Sequence, residues 1–191
     1  MTAIVLNIPT IAKFSDEQFY QLCQANRDLR FELTATGELI VMPPTGGSTG
    51  KRNSDINFEL ALWNRRTNLG IVFDSSTGFK LPNGANRSPD AAWIPIEKWN
   101  VLTPKQQDKF LPLCPDFVIE LRSSTDALKI LQDKMQEYID NGTFLGWLIN
   151  PQEKQVEIYR QGREKEVLDN PINLSGEEVL SGFVFNLQLI W

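Results

Sequence analysis

Two acidic residues carry the clearest chemical signal in this sequence. Glu120 lies inside "CPDFVIELRSSTD" (114–126), where Phe117, Val118, Ile119 and Leu121 surround it, Pro115 precedes the run and a Ser/Thr/Asp cluster closes it. Such a run reads as a buried strand over 116–122. A carboxylate there is costly unless something pairs with it. Asp90, in "RSPDAAWI", also sits against strand-like residues, and the connection between the two strands, roughly 20 residues, is short enough for them to be neighbours. If they converge, two carboxylates in one partly buried pocket repel, and a divalent cation is the economical partner.

The rest of the composition narrows which ion. There is no histidine, which removes imidazole-ligated metal sites and Ser-His or Cys-His nucleophilic machinery. Cys23 and Cys114 stand alone, with no CxxC pair, and read as core thiols. Oxygen ligands remain, which favours Mg²⁺ or Mn²⁺ held by Asp90 and Glu120, with the backbone carbonyl of Leu121 as a further ligand. That set suits phosphodiester hydrolysis, in which an ion acidifies water and polarises the phosphoryl group.

Two cations compete for the accompanying electrostatic role. Arg122 follows Glu120 by two residues, on the same strand face, and its guanidinium can clamp or stabilise but not act as a base. Lys134 borders the Leu128, Leu131, Met135, Tyr138 stripe of an amphipathic helix, and helical side chains tilt back toward the preceding strand. Plainer readings stand beside these. Asp90 also reads as a turn-flanking acid after Ser-Pro. Glu120 also reads as one half of an ion pair with Arg122 or another cation, and Lys134 as a solvated residue at the helix edge.

The elements that must position these side chains are legible in outline. "SDEQFYQLCQANRDL" (15–29) opens with Ser15 as N-cap and spaces Phe19, Leu22 and Cys23 helically. "RFELTATGELIVMPP" reads as a hairpin around Thr36-Gly37, ended by Pro43 and Pro44. A second helix over about 51–67 puts Ile56, Leu60 and Trp63 on one face. "IVFDSSTGFKLPNGANRSPDAAWIPI" has the turn density of a β-meander with two or three short strands. The helix bearing Lys134 is capped by Thr125 or Asp126 and stopped by Asn141-Gly142. "TFLGWLINP" and "KQVEIYR" follow as strands, with weaker strand signals at 164–168 and 183–190. This order predicts an α/β fold, a mixed central sheet flanked by helices, in one domain over 1–191.

At 191 residues with 41% hydrophobic content and five Trp, the chain is long and apolar enough to bury a sizeable core. No apolar stretch approaches the roughly 20 residues of a membrane span. The opening "MTAIVLNIPTIAKF" lacks a basic region before its apolar residues, is broken by Pro9 and shows no cleavage site, which places the protein in the cytoplasm. The net charge of −5 opposes nonspecific adhesion to nucleic acid but leaves room for a local basic groove.

"LPNGANRSPDAAWI", "PDFVIELRSSTDALKILQDKMQEYIDNGTFLGWLINP" and the spacing between them resemble the Uma-two type restriction-endonuclease family, within the PD-(D/E)XK nuclease superfamily. The resemblance covers roughly residues 11–190. It implies a restriction-endonuclease-like core in which Asp90 matches the first motif acid and Glu120 the second. The third motif position departs, because Arg122 stands where the pattern has lysine. A lysine supplied from the following helix, here Lys134, is a known migration in that superfamily. The resemblance also offers Glu59, on the second helix, as an additional metal ligand, against a plain surface role.

The expected activity is that of a metal-dependent DNA endonuclease. A homodimer would suit double-strand cleavage. The "PPTGGSTGKRN" loop, with Lys51 and Arg52, reads as a mobile loop and as a phosphate contact, and Arg65, Arg66, Lys105 and Lys109 as phosphate contacts or solvating charges. Two other readings compete: a non-catalytic nucleic-acid or protein-binding module on the same fold, and a carboxylate-based hydrolase of another class, such as a glycosidase.

Overall fold

The computed structural model describes residues 3–8 and 13–191. The Pro9 break in the opening segment lies outside the described residues. Six strands form the central sheet: β4 (Gly70–Asp74), β7 (Ala91–Pro95), β8 (Phe117–Leu121), β9 (Leu145–Asn150), β10 (Gln155–Arg160) and β11 (Glu166–Asp169), in the order β11-β10-β9-β8-β7-β4. The β8–β9 pair is parallel and the others are antiparallel, so the sheet is mixed, as the sequence predicts. A parallel neighbour requires a long crossover, and α5 (Leu128–Asp140) supplies it.

The two faces of this sheet follow from strand alternation. Phe117, Ile119 and Leu121 point to one side, where they pack with Ile56, Leu60 and Trp63 of α2 (Gly47–Thr67) and with Leu174 and Phe185 from the ribbon of β12 (Asn173–Ser175) and β13 (Val184–Asn186). Val118 points to the other, toward Met135 and Tyr138 of α5. Glu120 alternates with Ile119 and therefore falls on the α5 side.

A second, five-stranded sheet abuts the first. It comprises β1 (Ile4–Leu6), β2 (Arg30–Leu33), β3 (Leu39–Met42), β5 (Phe79–Lys80) and β6 (Asn86–Arg87), in the order β1-β3-β2-β6-β5. The hairpin around Thr36-Gly37 is its β2–β3 unit, with Gly37 at φ 93°. Helix α1 (Asp16–Ala25) covers it through Phe19, Leu33 and Leu39. Ser15 caps α1 in a capping box with Gln18, but the helix ends at Ala25 rather than running through 29.

Other boundaries shift for local reasons. α2 begins at Gly47, a turn earlier than its apolar stripe indicates, so the glycine-rich loop is partly its first turn. The N-cap of α5 is Ala127, because the Asp126 carboxylate accepts from the Ser123 N–H in the preceding turn instead of capping the helix. The connection between β7 and β8 holds two short helices, α3 (Ile96–Asn100) and α4 (Pro104–Gln107). The tail strand is confined to β13, followed by a 3-10 turn over Leu187–Leu189.

Candidate active site

The β7–β8 register brings the two acids together. Ala91 pairs with Ile119 and Ala92 with Val118, and one step further along this antiparallel ladder Asp90 faces Glu120. Asp90 is tied down on both oxygens. Oδ2 accepts from the backbone N–H of Leu121 at 2.8 Å and Oδ1 from Asn53 Nδ2 at 2.8 Å, while its own carbonyl accepts from Asn57 Nδ2 at 3.0 Å. Asn53 and Asn57 extend the Ile56-Leu60-Trp63 stripe of α2 toward its N-terminus, which aims both amides at the end of β7. Burial pushes the Asp90 carboxyl above its ordinary range, against the pull of the Leu121 N–H and of Lys134.

Glu120 is 4% exposed. Its Oε1 accepts from the Tyr138 hydroxyl at 3.1 Å and meets Lys134 Nζ at 2.7 Å. Burial raises the Glu120 carboxyl to about 7, with the negative charges of Asp90 and Glu32 adding to burial and Lys134 opposing it. Tyr138 is pushed well above its ordinary value, by burial first and then by Glu120, so the phenol stays a donor.

Lys134 projects from α5 into the space between the two sheets, and a second carboxylate holds it there. Its Nζ lies 2.8 Å from Oε1 of Glu32, on β2. Burial lowers an ammonium pKa, but here Glu120 and Glu32 outweigh it and hold Lys134 above its ordinary value. Glu32 itself accepts from the Ser88 N–H at 2.9 Å and pairs through Oε2 with the Arg87 guanidinium at 3.0 Å; Arg87 in turn meets Glu137 at 2.6 Å. Burial alone would raise Glu32, yet Lys134 and Arg87 bring it below its ordinary value.

Three carboxylates, Glu120, Glu32 and Glu137, thus share two cations, Lys134 and Arg87, and Asp90 feels the field of Lys134 without pairing with it. The cluster carries an excess of negative charge in a poorly solvated setting, and that excess is what protonation of Glu120 or a bound cation relieves. The donors present fit an oxygen-seeking divalent ion. Beside the two facing carboxylates, Asn53 Oδ1 and Asn57 Oδ1 are buried with no hydrogen-bond partner. Among the described residues no group of three or more His, Cys, Asp or Glu forms a ready cage. Ligands beyond Asp90 and Glu120 would therefore be neutral oxygens and water, the coordination Mg²⁺ prefers.

The remaining site residues from the sequence fall elsewhere. The Arg122 guanidinium bonds the Asp126 carbonyl at 3.2 Å and lies 3.7 Å from Glu153, so its polar contacts are with the loop beyond β8 and with the β9–β10 turn. Leu121 meets Asp90 through its N–H. Glu59 lines a surface hollow with Trp63, Arg66 and Phe183, while Asn53 and Asn57 are the α2 side chains bonded to Asp90. Lys51 pairs with Asp55, and Arg52 bonds the Ile190 carbonyl. Glu32, Arg87, Asn53 and Asn57 are the residues that sequence reasoning missed. The two asparagines left a usable signal, since amides replace apolar residues on an otherwise apolar helical stripe.

Comparison with known proteins agrees with this architecture. Residues 16–188 match the model of the family described as "Uma2: Putative restriction endonuclease". Among solved structures, the chain is similar to a "putative nuclease belonging to DUF820" from Anabaena variabilis ATCC 29413, with TM-score 0.71, 20% sequence identity, 84% of this chain covered and 89% of that one. At that identity the likeness establishes the fold. No curated protein matches the chain. Among the described residues no helix is long and apolar enough to cross a membrane. Because the family model spans nearly all of the sequence, the chain belongs to the Uma2 family of restriction-endonuclease-like proteins.

Proposed function

We propose that the protein is a divalent-metal-dependent endonuclease that hydrolyses phosphodiester bonds in DNA, with Asp90 and Glu120 holding Mg²⁺ or Mn²⁺ and Lys134 as the adjacent cation. The observation that carries this reading is the convergence of half-buried Asp90, at the entry to β7, and buried Glu120 of β8, with one lysine ammonium at 2.7 Å from Glu120. Family membership supports it, and so does the all-oxygen donor set.

Within this mechanism the chain's own groups divide the work. The chemistry that an ion supplies at such a site is polarisation of a phosphoryl oxygen and acidification of water. Asn53 and the Leu121 N–H fix the Asp90 carboxylate so that it need not reorganise. Lys134, held charged by two carboxylates, donates to the charge that develops on the phosphoryl oxygens and does not serve as a base. Arg122, bonded to the loop after β8, is left as a phosphate clamp at the margin. A homodimer would present two such sites to the two strands of a duplex.

A supercoiled-plasmid assay tests this. Nicking with Mg²⁺ or Mn²⁺, stopped by chelator and lost in Asp90→Ala and Glu120→Ala, is the expected result. Folded wild-type protein that leaves plasmid intact with either ion would instead favour a non-catalytic module.

A further inference from the structure

Glu32 belongs to none of the motif positions, yet it bonds to Lys134, Arg87 and the Ser88 N–H at once. It reaches in from β2 of the second sheet and is 2% exposed. Its Oε1 takes both Lys134 Nζ, from α5, and the Ser88 N–H, in the segment that leads into Asp90. Its Oε2 takes Arg87, which is held in turn by Glu137 on α5. One carboxylate therefore fixes the lysine and the approach to the first metal-facing acid at once.

Sharing Lys134 has a further consequence. Glu120 Oε1 and Glu32 Oε1 lie at nearly equal distances from the same ammonium, 2.7 and 2.8 Å. A cation on Glu120 must compete with Lys134 for that carboxylate. With Glu32 present, Lys134 keeps a compensating charge when Glu120 turns to another cation. Without it, Lys134 has Glu120 alone, and leaving Lys134 unpaired in a buried site is costly.

We propose that Glu32 is a positioning residue of this site, anchoring Lys134 so that Glu120 is free to bind a divalent cation. This rests on the reading that Asp90 and Glu120 hold such an ion. The expected effect of Glu32→Gln is a loss of Mn²⁺ affinity of about 10- to 100-fold, the range seen when a partner that orients a metal ligand is removed.

The experiment is a double-mutant cycle read by calorimetric Mn²⁺ titration on wild type, Glu32→Gln, Lys134→Met and the double variant, with thermal unfolding to confirm folding. Glu32→Gln should weaken Mn²⁺ binding in the wild-type background and have no effect once Lys134 is methionine. An equal loss in both backgrounds would show a merely structural role and overturn the proposal. So would no loss in either background, and in both cases the nuclease reading would stand provided Asp90→Ala abolishes binding. Absence of any Mn²⁺ binding by folded wild type would overturn both. Should Glu32→Gln not fold, Glu32→Gln with Arg87→Met, which leaves no unpaired guanidinium, is compared in the same two backgrounds against Arg87→Met alone.

Discussion

Lys134 and Glu120 meet at 2.7 Å although one lies on a helix and the other on the strand before it. The β8–α5–β9 crossover produces that meeting: α5 lies back across the sheet face onto which Glu120 alternates, and Tyr138, one turn after Lys134, donates to the same carboxylate oxygen. In the proposed mechanism the lysine that a strand-borne motif would place two residues after the acid would come instead from the helix.

Lys134→Met separates stability from chemistry. It leaves Glu120 and Glu32 buried without their shared cation, which costs about 3–5 kcal/mol in urea unfolding. Plasmid nicking is lost in the same variant, while Mn²⁺ still binds because both metal-facing carboxylates remain. Nicking that survives this change would remove Lys134 from the mechanism.

The raised Glu120 carboxyl makes stability depend on pH with a definite sign. Between its ordinary 4.5 and about 7, the folded protein holds a proton on Glu120 that the unfolded chain has released. Stability of the metal-free protein therefore falls as pH rises through that window, by at most about 1.4 kcal/mol per pH unit from this group. Thermal melts of wild type and Glu120→Gln across pH 4.5 to 7.5 check this. The variant should show a shallower fall over the same interval.

Asn53→Ala removes the donor to Asp90 Oδ1 and should lower nicking by about 10- to 100-fold, as loss of a ligand-orienting partner does. Asn53→Asp, which sets a negative charge against Asp90, should be the more damaging of the two. Initial nicking rates at saturating Mn²⁺ distinguish them.

Gly70→Ala tests the sheet that presents Asp90. A Cβ at Gly70, at the start of β4, would collide with the Ile94 carbonyl and the Trp93 indole of β7. Because one collision is with backbone, the strands must part, and a loss of about 1–3 kcal/mol or more in denaturant unfolding is expected.

What the sequence disclosed and withheld follows from where the partners lie along the chain. Asp90, Glu120 and Lys134 were visible because each breaks or borders a local pattern, and the β8–α5–β9 unit because its periodicity is strong. Glu32 was hidden: between Phe31 and Leu33 it looks like the outward acid of an alternating hairpin strand. Only the packing of β2 against α5 and β6 turns it inward, toward cations that come from elsewhere in the chain. The second sheet was obscure for the same reason, since β5 and β6 are two residues each and this short pair joins the sheet through β6 and the distant β2. The start of α5 at Ala127 depended on whether Asp126 capped a helix or closed a turn, a competition that spacing does not decide.

The most direct test of the two-carboxylate site is calorimetric titration of Mn²⁺ into wild type, Asp90→Ala and Glu120→Ala, each shown folded by thermal unfolding. Binding in the wild type that disappears in both variants is the predicted outcome. Unchanged binding in both variants, or none in the wild type, would contradict a shared metal at Asp90 and Glu120.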